Sequence, residues 1–148
     1  MTTLTEKTRN ALDEAGLPVA EIERIVRTAL EEDLGPEHRD VTSESTIPAE
    51  QTDTADLVAR ADGVVAGLAV AAAVFELSSG RTVEALVTSK DGTRVRRGDV
   101  LLTVTGPTRA LLTAERTALN LLCRMSGVAT HTRRWADVLE GTGATVLD

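Results

Sequence analysis

The sequence predicts an α+β domain from three patterns. Apolar residues recur at helical spacing from Val19 to Leu34 and from Thr108 to about Met125. Apolar and polar residues alternate from Thr54 to Ala61 and from Arg81 to Val87, the period of strands with one covered face. Glycine turns at Asp91-Gly92 and Gly98-Asp99 flank very short apolar runs, which marks a small, tightly folded β unit.

The elements follow in order. The first sixteen residues are polar and partly helical in pattern, and Leu17-Pro18 is a break, with Pro18 suited to a first helical turn. Ile22, Ile25, Val26, Ala29 and Leu30 form the apolar stripe of the next helix; Glu21 and Glu23 sit at its positive end, and Gly35-Pro36 stops it. Residues 36 to 53 read as loop, rich in Ser, Thr, Pro and acid, with Asp40-Val41-Thr42-Ser43 able to cap a short turn. In the strand that follows, Ala55, Leu57, Ala59 and Ala61 face one way and Asp56, Val58 and Arg60 the other. Asp62-Gly63 suits a tight turn, and Val64 to Ala66 continues as strand. Gly67 opens an apolar helix through Phe75 to Leu77, closed near Ser79-Gly80. Pro107 starts the last long helix, whose apolar side is Leu111, Leu112, Leu119 and Leu122. Ser126-Gly127 is expected to interrupt or bend it. A second helical segment then runs from Val128 to about Leu139, burying Trp135 and Val138 or Leu139, and Ala144 to Asp148 reads as a strand.

Length and composition bound the function. A chain of 148 residues and 15.7 kDa fits one domain, or a small domain with part of another. A complete eight-stranded α/β barrel needs roughly 250 residues. The single cysteine, Cys123, excludes a disulfide framework and a CxxC metal pair, and reads as a small core residue. The start, Met1 to Arg9, lacks a secretory pattern, and the longest apolar run, Gly63 to Phe75, falls short of the ~20 residues a membrane span needs. The expectation is a cytoplasmic protein with no membrane contact. A net charge of -7 and only two aromatic residues, Phe75 and Trp135, speak against nucleic-acid binding.

Charge is unevenly placed. Residues 1 to 89 hold seven basic and seventeen acidic side chains; residues 90 to 134 hold nine basic and three acidic. One basic block on an acidic protein offers a surface for an anion, with solubilising charge as the plainer account. Within that block Arg109, Thr113, Arg116, Asn120 and Arg124 fall on one face of the helix, opposite the leucines. By periodicity alone, a solvated helix back with ordinary ion pairs is the favoured account. His38 and His131 stand outside any metal-ligand spacing, and no metal site is expected. The glycine-turn block also looks like biotinyl and lipoyl carrier domains, but Lys90 precedes a turn instead of occupying a hairpin tip, which weighs against a carrier.

Several stretches resemble one family. They are Ala29-Leu30-Glu31-Glu32-Asp33-Leu34-Gly35, Asp40-Val41-Thr42-Ser43, Ala59 through Gly67, Asp91-Gly92 through Gly98-Asp99, Leu112 through Asn120, and Ser126-Gly127-Val128-Ala129-Thr130. In this order and spacing they are similar to nicotinate-nucleotide pyrophosphorylase (carboxylating), also called quinolinate phosphoribosyltransferase. The resemblance covers the chain from about Val19 onward and about the first half of the family's usual length.

It implies a polar N-terminal extension (1–17), an N-terminal α/β sandwich domain (18–110), and connecting helices with the first strand of an incomplete α/β barrel (111–148), the rest of the barrel being absent. The Thr-Arg-Lys-Thr segment and later barrel residues that hold most of the chemistry do not follow, and Pro36-Glu37-His38-Arg39 replaces a linker that commonly contains glycine. The implied reaction joins quinolinate to phosphoribosyl pyrophosphate, with magnesium, giving nicotinate mononucleotide, pyrophosphate and carbon dioxide. The resemblance places a quinolinate-binding arginine at Arg116, in a site shared with a neighbouring subunit's barrel, hence a homodimer or larger homo-oligomer. Glu115 is expected to orient Arg116, Asn120 to support the site, and Arg109 and Arg124 to add positive field. No complete catalytic set is expected in this chain, and activity alone is not expected. A noncatalytic interaction or regulatory domain, one subunit of a split enzyme, and the molybdenum-transport-associated relative of the family are the alternatives.

Overall fold

A computed structural model of the chain describes residues 3–35, 39–80 and 82–147. Pro36, Glu37, His38, Arg81 and Asp148, which enter the expectations above, lie outside the described residues. The elements are α1 (Glu6–Glu14), α2 (Val19–Leu34), α3 (Val41–Thr46), β1 (Thr52–Val58), β2 (Gly63–Val64), α4 (Leu68–Ser79), β3 (Glu84–Val87), β4 (Arg94–Val95), β5 (Val100–Pro107) and α5 (Thr108–Leu139).

The α+β class holds. An antiparallel sheet in the order β1-β5-β3 lies against α4 and α5, and α1 and α2 also pack on α4. Strand alternation sets this up. Leu57 pairs with Leu102 and Ala85 with Val104, turning apolar side chains toward the helices. On the other face Thr103 donates to Asp56 at 2.6 Å, Thr54 and Thr105 share a hydrogen bond, and Leu86 is exposed. A register shift at Leu57/Val58 ends the regular pairing of β1. The small β unit expected at 91–106 is divided between two sheets. β4 pairs with β2, some thirty residues earlier, whereas β5 runs eight residues and becomes the central strand.

Helix α4 is the middle of the core. All ten residues from Leu68 to Leu77 are buried, so its apolar character on every side is what its position requires. Glu76 is among them at 4 % exposure. Its carboxylate accepts from Thr5 N at 2.8 Å, Thr5 Oγ1 at 2.9 Å and Thr8 Oγ1 at 2.5 Å, which offsets the cost of burying it. Leu4 and Leu12 join the core beside this carboxylate.

Helix α5 corrects three expectations. It runs as one helix through Ser126-Gly127, so the expected interruption is absent. Ser126 Oγ accepts from Ala66 N at 3.0 Å and donates to Ala66 O, and one turn later Thr130 Oγ1 accepts from Val64 N at 2.8 Å and donates to Val64 O. The two hydroxyls pair with the backbone of the β2 region as a strand edge would. That tertiary bonding outweighs the local helix-breaking tendency of Ser-Gly. The end of α5 is also less covered than expected, with Trp135 59 % and Val138 80 % exposed. Cys123 is exposed as well, and not a core residue. Residues 144–147 form no strand; among the described residues none pairs with them.

Candidate functional site

The polar stripe of α5 is a contact face for α2 and α3. Arg109 donates from Nε to Ile47 O at 2.8 Å and from Nη2 to Glu44 O at 3.0 Å, holding the end of α3. Thr113 Oγ1 donates to Asp40 Oδ2 at 3.3 Å. Asp40 is the cap of α3, accepting from Ser43 N at 3.0 Å and Ser43 Oγ at 2.6 Å. The Ser43 hydroxyl, then its backbone N–H, hold the Asp40 carboxyl below the usual aspartate range, with Thr113 adding to them. The capping role expected for 40–43 is thus seen. Glu44, in the same short helix, is held low by Arg39.

Farther along the stripe, Arg116 Nη1 donates to Asp33 Oδ1 at 3.0 Å. The arginine side chain is 75 % exposed and the aspartate 19 %. The exposed Asn120 borders a cleft of about 270 Å³ between α2 and α5, together with Ala29, Glu32, Asp33, Thr117 and Leu121. Arg124 is exposed. The three arginines therefore differ in what they do. Arg109 is committed to two backbone carbonyls, Arg116 is anchored through one nitrogen, and Arg124 faces solvent.

Glu115 belongs to another surface. It lines a groove of about 440 Å³ with Asp56, Arg60, Leu57 and Leu112, over the edge of the sheet. The structure gives it no hydrogen bond to Arg116. Asp33 is not among the residues that the sequence singles out, although it belongs to the stretch Ala29–Gly35. Its signal was electrostatic: Glu31, Glu32 and Asp33 crowd the C-terminal turn of α2, which holds no basic residue, where the helix dipole disfavours acid.

A larger groove, about 520 Å³, runs between the β2 turn and the solvent side of α5. It reaches Arg60, Cys123, His131 and Arg134. His131 Nε2 accepts from Trp135 Nε1 at 3.1 Å, an edge-on ring contact along the helix. Among the described residues no group of three or more His, Cys, Asp or Glu side chains is placed to hold a metal ion. No helix among them is long and apolar enough to cross a membrane.

Comparison with known proteins places this geometry in context. Residues 40–126 match the family described as quinolinate phosphoribosyl transferase, N-terminal domain. That segment contains α3, the sheet, α4 and the stripe up to Arg124. The nicotinate-nucleotide pyrophosphorylase [carboxylating] of Mycobacterium leprae is 44% identical over 124 residues, covering 83% of this chain and 43% of the relative. The probable enzyme of the same name from Bacillus subtilis is 38% identical over 79% of this chain and 39% of its own length. The crystal structure of NadC from Streptococcus pyogenes superposes with a TM-score of 0.77 at 34% identity, over 83% of this chain and 44% of that one. The chain thus spans less than half the length of these relatives.

Proposed function

Because the chain belongs to the quinolinate phosphoribosyltransferase family through its N-terminal domain, we propose that it supplies the pyridine-dicarboxylate-binding arginine of a carboxylating nicotinate-nucleotide pyrophosphorylase. The whole reaction converts quinolinate and phosphoribosyl pyrophosphate to nicotinate mononucleotide, pyrophosphate and carbon dioxide. The observation that carries this reading is Arg116, mostly exposed on a continuous helix inside the family-matched segment. A planar guanidinium matches a planar carboxylate with two parallel N–H donors, which a lysine does not reproduce. Asn120, one turn away on the same face, adds an amide beside it.

The chemistry that expels pyrophosphate and carbon dioxide belongs to a barrel half, on the same polypeptide, on a neighbouring subunit or on a separate chain. Val128, Trp135 and Val138, exposed along the end of α5, are in keeping with such a covering partner.

The test is a reconstitution. The 148-residue chain is assayed for nicotinate mononucleotide formation alone, mixed with the barrel half of the Mycobacterium leprae relative, and fused to it. The expected result is no turnover alone and turnover in the fusion, lost when Arg116 is replaced by Ala. Turnover well above background by the pure chain overturns the assignment. Binding of the barrel half with no turnover in either mixture or fusion points instead to a noncatalytic interaction domain.

A further inference from the structure

We propose that Asp33 is a positioning residue for Arg116, tethering one guanidinium nitrogen so that the opposite edge stands ready for a substrate carboxylate. The inference rests on the reading that Arg116 binds the dicarboxylate.

The acid sits where a helix does not favour one. It lies in the final turn of α2 beside Glu31 and Glu32, without a basic residue in that turn. A cation from elsewhere relieves this, and Arg116 is the cation that reaches it, at 3.0 Å. The exposures say which partner is the anchor. Asp33 is largely covered at the α2–α5 junction, while the guanidinium projects into solvent. A structural ion pair needs no exposed guanidinium, whereas a ligand-binding fork does.

The atom used is the second point. Asp33 takes Nη1. The Nε–Nη2 edge, which offers two parallel donors to a carboxylate, has no partner among the described residues. A free arginine loses side-chain freedom when it grips a ligand; one already tethered loses less. Asp33 also carries negative charge near a dianionic ligand, an opposing effect. The tether wins in this account because that charge is already paired with Arg116.

The test uses the fusion with the Mycobacterium leprae barrel half and reads kcat and KM for quinolinate separately. Arg116→Ala is expected to raise KM strongly. Asp33→Asn is expected to raise KM about tenfold with kcat within about twofold, because ordering of a binding group is lost and the chemical step is not. Asp33→Glu recovers part of the loss, and the exposed Glu31→Gln leaves KM unchanged. If Arg116→Ala leaves KM unchanged, the dicarboxylate reading falls and the positioning role with it. If Arg116→Ala raises KM but Asp33→Asn leaves it unchanged or lowers it, only the positioning role is overturned. A second measurement needs no turnover: ¹⁵N relaxation of the Arg116 Nε–H in the 148-residue chain. Asp33→Asn is expected to loosen that group, and an unchanged order parameter overturns the tether.

Discussion

The Asp91 carboxylate closes the N-terminus of α4 from a distant turn, accepting from Gly67 N at 2.9 Å and Leu68 N at 3.1 Å. Two amides that the helix cannot satisfy itself are thereby paired, and the acid meets the positive end of the dipole. Gly67 at this junction has φ +99°, and a Cβ there would lie 2.7 Å from Met125 Sδ. The glycine serves both the backbone conformation and the close approach of α5. Asp91→Ala is expected to cost about 1–2 kcal/mol of stability in urea unfolding, the range for losing a helix cap, with Asp91→Asn recovering most of it. Gly67→Ala is expected to cost more than about 1 kcal/mol, since strain and overlap act together. A Gly67→Ala variant as stable as the parent protein would mean that α5 shifts freely at Met125.

At the scale of elements, α3 is a part whose attachment depends on pH. Six residues make too short a helix to stand alone. It is held by the Asp40 cap, by Thr113 and by the two Arg109 donors. The Asp40 carboxyl is depressed, so the folded state favours its charged form. Its contribution is complete above the ordinary aspartate range and is lost as pH falls through the lower, folded value. The Ser43 amide should therefore keep its neutral-pH chemical shift through the ordinary aspartate range and change only in stronger acid. Arg109→Ala should speed proteolysis within 40–47 at neutral pH while leaving the sheet protected. Unchanged cleavage would remove Arg109 from this role. The cap itself was legible in the sequence, because Asp-x-x-Ser bonding is local. So were α2, from its apolar periodicity and the glycine at its end, and α4, from its continuous apolar run between two glycines. The placement of β5 was not, because its partners β1 and β3 are distant choices that turn spacing does not encode. The polar stripe that carries Arg116 was legible from its spacing, but the partner of Arg116, Asp33, lies 83 residues away on another helix. The unbroken path of α5 was hidden for the same reason: Ser126 and Thr130 find their partners on β2 and the residues after it.

For the molecule as a whole, burial is lopsided along α5. Leu111, Ala114, Thr117, Ala118 and Leu122 are sealed in the core, whereas Val128, Trp135 and Val138 are exposed. One helix therefore joins a packed half to a half whose outer contacts are few. The ion pair of Asp137 with Arg94, at 2.5 Å, ties the exposed half to β4, and Arg133 pairs with the same carboxylate along the helix at 2.8 Å. They lie at the surface, where such pairs hold geometry more than they add stability. Trp135 and Val138, together with Leu147 beyond the helix, offer apolar area that water does not favour. Local opening should follow this division, because protection depends on burial of the surrounding side chains. In hydrogen exchange of the 148-residue chain, amides from 111 to 122 should be among the slowest and those from 133 to 139 markedly faster. Fusion to the barrel half should slow the second group and leave the first nearly unchanged, since only the second gains cover. Equal protection of the two groups in the chain alone would mean that the end of α5 is held by its own helix and ion pairs, and that its apolar side chains need no partner.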